Sequence, residues 1–449
     1  MTERRAPEVG RRFKPYPAHK DSGVEWLGEI PAHWEVRRLK FVAPARINKL
    51  NVKPDDAAYV GLEHVESWTG RLLLDNQPES VDSVVASFRA GDVLFGKLRP
   101  YLAKAARPHF DGVCTSEILP LRPTASCSQS YVMYCLLNAP HIRWLDSLTY
   151  GTKMPRVSPE QVGSSFVPIP TEPEQRAIAA FLDRETATID ALVAKKERLI
   201  ELLQEKRTAL IARAVTKGLD LKVPMKDSGV EWLGEIPAHW EVVPLKRALL
   251  HQVTNGLFKK REAWGAGSLI INVVDLYRAD FRIDAASLER VEAQPHEITA
   301  FAAHVGDIFF VRSSLKREGV GSSACLTEAP EPIVFECHLV RARPSPRRVV
   351  SRYLAAYLNA SIVRQRLVAI SETTTMTTIA QSSLETLEVV LPPKSEQEAA
   401  LAWLELQTAK IDALVAKVRD AIDRLKELRT ALISAAVTGK IDVREEASA

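Results

Sequence analysis

KDSGVEWLGEIPAHWEV, residues Lys20–Val36, recurs letter for letter at Lys226–Val242. Secondary-structure propensity constrains residue class and spacing, not an unbroken run of identities, so the chain carries a duplicated unit. The separation, 226 − 20 = 206 residues, exceeds the roughly 20–50-residue periods of solenoid modules. It marks two copies of a whole domain with its connector.

Other landmarks measure how the copies differ. IDALVAK occurs at Ile189–Lys195 and Ile411–Lys417, an offset of 222, so the second copy holds 222 − 206 = 16 extra residues. Gly91-Asp92 aligns with Gly306-Asp307 at 215, Arg122-Pro123 with Arg343-Pro344 at 221, and Met154 with Met376 at 222. Most of the extra length falls before the Gly-Asp step and just after it, as loop insertions in one shared fold. The ends of the unit match closely, whereas residues 37–150 and 243–372 share only scattered landmarks. Matched docking parts with divergent surfaces point to two related but unlike recognition tasks. Trp26 and Trp34, identical to Trp232 and Trp240, belong to the frame, because residues reading different targets should differ.

At 449 residues, the chain has room for two or three domains of roughly 150 residues. Its 46% hydrophobic and 26% charged content is ordinary for a folded protein, and the mild net charge of +4 permits nucleic-acid binding through local basic surfaces without demanding it. Five cysteines without a CxxC pair argue against a disulfide framework or a zinc knuckle and fit a reducing cytoplasm. The opening MTERRAPEVGRRFKPYP lacks the apolar stretch of a secretory signal. No run reaches the 18 or so apolar residues of a membrane span. A cytoplasmic location without membrane partners is expected.

After each variable region the hydrophobic period becomes helical. Leu182, Ile189, Leu192, Leu199, Leu203 and Leu210 form one seam; Leu404, Ile411, Leu414, Val418, Leu425, Leu428 and Leu432 form the other. Both follow heptad spacing, which suits helix pairing or docking of another chain. Thr171-Glu-Pro-Glu174 and Ser395-Glu-Gln-Glu398 supply helix starts, and Gly218 and Gly439 supply ends. Each helix should run about 40 residues, or about 60 Å, and the two should pair antiparallel. AYVGLEHV (58–65), GDVLFGKL (91–98), SLIINVVDL (268–276) and GDIFFVR (306–312) suggest strands; 131–145 and 352–370 each suggest one helix. The expected fold class is mixed α/β, with two duplicated globular recognition domains connected by two long antiparallel coiled-coil helices. The segments are a basic tail (1–19), a first domain (20–170), a first helix (171–218), a second domain (219–394), a second helix (395–442) and a tail (443–449).

Catalytic motifs are missing. There is no phosphate-binding G-x-x-x-x-G-K-[ST], and Gly319–Ala324 matches a dinucleotide loop in letters only. The Pro392-Pro393 pair lacks the flanking residues an amino-methyltransferase needs, and neither H-E-x-x-H nor G-x-S-x-G occurs. Cys337-His338, if on a strand, would point apart, so no metal site is expected. The chain reads as a binding protein without a cofactor of its own.

Its candidate contacts are Lys97, Arg99, Tyr101, Lys104 and Arg107 after the first Gly-Asp strand, and Arg312, Lys316 and Arg317 after the second. Basic residues at a loop tip can reach phosphates or guanine edges, and tyrosine can pack on sugar or base. Lys153 and Arg156, with Thr374 and Thr375 in the second copy, suit backbone contact. A coiled-coil scaffold that never touches DNA is the alternative class, and it predicts association insensitive to salt.

These residues resemble the specificity subunits of Type I restriction–modification systems. The resemblance rests on KDSGVEWLGEIPAHWEV, GDVLFGKLRPYLAK, GDIFFVRSS, IPTEPEQRAI, LPPKSEQEAAL and the IDALVAK helices, and spans about Phe13 to Asp442. It implies two target-recognition domains that each read half of a bipartite, asymmetric site in double-stranded DNA, separated by a spacer set by helix length. It also implies docking of two modification subunits, which carry S-adenosylmethionine and methylate adenine. Restriction (translocase) subunits using ATP and Mg join them, or are absent in a methylation-only complex. VTKGLD against VTGKID sets the helix-ending glycine one position apart in the two copies, which leaves the cap geometry open.

Overall fold

A computed structural model describes residues 13–74, 83–373 and 375–446. Thr374, most of the basic tail and the last three residues therefore lie outside the described residues. The chain divides into two compact units, residues 1–197 with 418–449, and residues 198–417. The first long helix, Glu172–Thr216, and the second, Lys394–Val437, each give one half to each unit.

In the first unit the repeated frame is a hairpin, His19–Asp21 against Glu29–Pro31, whose alternation buries Ile30 and leads to the fully buried Trp34. Glu35–Arg38 then pairs antiparallel with Phe166–Ile169, so the variable region leaves and returns through one two-stranded ladder. Between them lie a four-stranded sheet (Lys49–Leu50, Val85–Phe88, Gly112–Thr115, Ala58–Val60) and a three-stranded one (Ile118–Leu121, Val93–Gly96, Ala105–Ala106). The helix expected over 131–145 is two, Gln129–Leu136 and Ala139–Ser147, because Pro140 can open a helix but lacks the N–H to continue one.

The second unit repeats this plan. Met225–Asp227 pairs with Glu235–Pro237, and Glu241–Pro244 with Glu388–Leu391. Its sheets are five-stranded (Thr254–Asn255, Leu339–Ala342, Ile308–Val311, Ser323–Leu326, Arg282–Ile283) and three-stranded (Glu289–Val291, Trp264–Ile271, Ile333–Phe335). The helix expected over 352–370 is again broken, into Ser351–Leu358 and Ser361–Ala369. AYVGLEHV and SLIINVVDL each hold a strand only in their first half and then turn through a 3₁₀ segment, Leu62–His64 and Val273–Leu276.

Within each unit the helical segments run antiparallel. In the first unit Arg184 donates to Glu446 O and Arg429 to Asp190, so one helix ascends as the other descends. In the second, Arg207 pairs with Asp412 while Ile211 packs in one core with Leu404. The two ion pairs are equivalent at offset 222: 412 − 190 and 429 − 207. The aspartates belong to the IDALVAK repeats and the arginines to the R-T-A-L-I repeats. Arg429 is buried, and it also donates to Trp68 O and Thr69 O. Arg207 likewise donates to Ala279 O.

The seam needs correcting. Leu192, Leu199 and Leu414 are 42%, 43% and 49% exposed, while Val193, Ile200 and Val415, one residue further on, face inward. Leu428 is half-buried beside the buried Arg429, and buried Ile422 was missed. The inward positions read 189, 193, 196, 200, 203, 207, 210 and 404, 408, 411, 415, 418, 422, 425, 429, 432, alternating four and three.

Helix ends also resolve. Gly218 and Gly439 have φ of +77° and +70°, and each lies two residues past its helix, so the helix end follows the glycine rather than the alignment. A side chain at Gly439 would meet Pro31 and Trp34, and one at Gly218 would meet Trp240. Of the frame tryptophans, Trp34 and Trp240 therefore seat on the helix ends within each unit.

Candidate nucleic-acid interface

Each site begins at a Gly-Asp turn. Gly91 and Gly306 sit at φ +94° and +93°, and both following aspartates are buried. Asp92 accepts from the Arg89 amide at 2.7 Å and from the Arg122 guanidinium. Asp307 accepts from the His304 amide at 2.9 Å and from Arg343 at 2.7 and 2.8 Å. Two landmarks that align separately in sequence are thus one buried ion pair in each unit. Losing the arginine strands a buried carboxylate and costs about 3–5 kcal/mol; losing the aspartate leaves a partly solvated guanidinium and costs less.

From that lock the buried strands Val93–Gly96 and Ile308–Val311 run out to an edge built alike in both units. In the first, the Lys97 amide donates to Glu117 O (2.8 Å), the Val157 amide to Lys97 O (3.1 Å) and the Arg99 amide to Pro155 O (2.7 Å). In the second, the Arg312 amide donates to His338 O (2.7 Å) and the Ile379 amide to Arg312 O (3.0 Å), while Ser313–Ser314 pairs with Thr377–Thr378. The ladder joins the two groups of candidate residues that are far apart in sequence. Leu98, between Lys97 and Arg99, bridges Arg156, while Ser313–Ser314, directly after Arg312, pairs with Thr377–Thr378.

The first edge is basic and aromatic. Arg99 and Lys153 are exposed, Lys97 and Arg156 half-buried, and Tyr101, Tyr150 and Met154 are 45%, 55% and 52% exposed. Arg99 is held at φ +51°, which costs a side-chain-bearing residue roughly 1–2 kcal/mol and turns it out of the strand line. The second edge is richer in hydroxyls. Ser313 and Thr378 share a hydrogen bond at 3.2 Å, as do Thr373 and Thr377 at 3.1 Å, and Lys316, Arg317 and Thr375 are exposed beside them.

Two expected contacts turn inward. Lys104 places Nζ on Leu62 O and Val65 O at 2.7 and 2.6 Å, closing a 3₁₀ segment, and burial lowers its pKa. Arg107 bonds Ser130 and pairs with Asp183 of the first long helix at 2.9 Å. Their charges are spent on the fold.

No family model matches the chain. Among curated proteins, it is 23% identical over 375 residues to the Type I restriction enzyme EcoKI specificity subunit of Escherichia coli K12, covering 82% of this chain and 77% of that one. It is 24% identical over 432 residues to the MjaVIII specificity subunit of Methanocaldococcus jannaschii, covering 92% and 94%. A chain from a structure of type I R-M complex assembly and conformational transition superposes with a TM-score of 0.64 at 20% identity, covering 91% of this chain and 98% of that one. The HsdS subunit from Thermoanaerobacter tengcongensis gives 0.50 at 19% identity, covering 92% and 98%. The fold agrees along nearly the whole length.

This chain is similar to type I specificity subunits in sequence and in fold.

Sequence reasoning missed Glu117 and His338, which occupy equivalent places on the two edges. Their signal was available: each lies one residue before an apolar strand, at offset 338 − 117 = 221, the offset of the Arg-Pro landmark. Cys337-His338 lies in a tight turn, not on a strand. Among the described residues, Glu336, Cys337 and His338 form a group whose ligand atoms lie within 4.8 Å of one another. Hydrogen bonds explain that convergence: the Glu336 carboxylate accepts from the His338 amide at 3.0 Å and the Cys337 thiol at 3.8 Å. All five cysteines are free thiols. No helix among the described residues is long and apolar enough to cross a membrane.

Proposed function

We propose that this chain is a specificity subunit that reads a bipartite, asymmetric DNA site, one half-site through each edge. The observation that carries the reading is the shared ladder: one hydrogen-bonded scaffold displays Lys97, Arg99, Lys153 and Arg156 in one unit and Arg312, Ser313, Thr378, Lys316 and Arg317 in the other. Equal scaffolds with unlike side chains suit two unlike half-sites. Lys and Arg at the rim position the duplex through phosphates, and side chains nearer the ladder read base edges.

Catalysis belongs, on this reading, to partners. Two modification subunits dock on the helices and repeated frames and supply S-adenosylmethionine; restriction subunits supply ATP- and Mg-dependent translocation and cleavage. Methylation of a base inside a duplex requires flipping it out, so the specificity subunit's task is to place that chemistry.

Binding of duplex DNA by the subunit with its modification partner, measured across salt, tests this. Several phosphate contacts predict that log K falls linearly with log salt, with a slope of about −0.9 for each contact. The double variant Arg99→Ala/Lys153→Ala should reduce the slope by about two. A salt-independent affinity would favour the protein scaffold.

A further inference from the structure

The two edges differ most sharply at one equivalent position. Glu117 and His338 both offer their carbonyl to the first residue of the ladder, Lys97 or Arg312, at 2.8 and 2.7 Å. Their backbones are thus fixed in the same relation to the strand, while the side chains differ in charge and hydrogen-bonding sense. Glu117 is 27% exposed at its side chain, and the guanidinium of Arg156 lies 3.6 Å from its carboxylate. His338 is exposed.

A carboxylate is an unexpected group on a basic edge. For phosphate binding it is a liability, because it repels the backbone and neutralises Arg156. The fold does not demand it, since the ladder uses its carbonyl and not its side chain. What a carboxylate does well in the major groove is accept from the exocyclic amino group of cytosine. Imidazole adds what a carboxylate lacks there, a ring N–H that donates to the N7 or O6 acceptors of guanine.

We infer that Glu117 and His338 are equivalent base-reading residues, Glu117 selecting a cytosine amino group in one half-site and His338 a guanine acceptor edge in the other. This rests on the DNA-recognition reading above and goes beyond it by assigning opposite hydrogen-bond polarity to the half-sites at one matched position.

Selection from a random duplex library, by the full-length subunit with its modification partner, tests it. Glu117→Gln keeps size and removes the charge; His338→Ala removes the imidazole. Each should relax discrimination at one base pair of one half-site by roughly 5- to 150-fold, with cytosine the favoured base lost for Glu117→Gln and guanine for His338→Ala. The other half-site and the melting temperature should stay unchanged. Uniform loss across all positions, or unaltered preference in a folded variant, overturns the assignment. A wild-type complex without sequence preference overturns the recognition reading itself, and is distinguished by appearing before any substitution is made.

Discussion

His141 shows how one buried side chain couples the repeated frame to a pH response. Its ring stacks on Trp26 of the frame at 5.3 Å and on Trp144 at 6.4 Å, and Nδ1 bonds Cys135 O at 3.1 Å. Complete burial, partly opposed by that backbone bond, pushes its pKa from 6.5 down to about 4. The folded chain therefore refuses a proton that the unfolded chain takes up between those values. Stability attributable to His141 is full above about pH 6.5 and falls as the pH drops toward 4, by about 2 kcal/mol at pH 5. Urea unfolding at pH 7 and pH 5 should show this loss in the wild type and a flatter response in His141→Phe; parallel responses would refute it. Such a residue is poorly legible in sequence, because a lone histidine in HIRWL gives no sign of the tryptophan more than a hundred residues away. The Asp92–Arg122 and Asp307–Arg343 pairs were half legible: both letters matched between copies, but their contact spans 30 and 36 residues of loop and strand. Lys104 and Arg107 were misread for the same reason. A cation's letter does not say whether a carbonyl or a carboxylate waits inside the fold.

Among the elements, the long helices were the most legible, since 45 and 44 residues of heptad pattern outlast local noise. The register within them was not. Leucines occupy both the inward and outward positions around 199–203, and following the leucines put the seam one residue off at Leu192, Leu199 and Leu414. Packing decides instead for Val193, Ile200 and Val415, which keep the alternation of four and three. Ile189→Ala, at a 6% exposed seam position, should cost about 2–5 kcal/mol. Leu192→Ala, 42% exposed, should stay within about 0.5 kcal/mol. Equal losses in chemical denaturation would restore the leucine seam. Inserting a matched heptad into both helices keeps that register and should change the spacer between half-sites while leaving both half-sites intact. Methylation mapping checks this, and an unchanged spacer would remove the helices from the role of ruler. Strand edges were less legible than helices: AYVGLEHV and SLIINVVDL continue apolar past the strand because their 3₁₀ turns also face the core.

At the scale of the whole molecule, duplication supplies the economy. The same offset of 222 relates Asp190 to Asp412, Arg207 to Arg429 and Gln175 to Gln397. The last pair bonds the same three places in each unit: Ser128 N, Ser126 O and Pro170 O, or Val350 N, Arg348 O and Pro392 O. What the copies share holds each unit together; what they do not share lies on the edges at Lys97–Arg156 and Arg312–Thr378. If that division is functional, the two specificities are separable. The most direct measurement is the methylome of DNA treated with this chain and the modification subunit proposed for it, beside a chimera whose residues 37–150 come from another recognition domain. The account predicts a split site of two unlike halves, of which the chimera changes one and keeps the other and the spacer. A single continuous site, no site at all, or a chimera that alters both halves would contradict it.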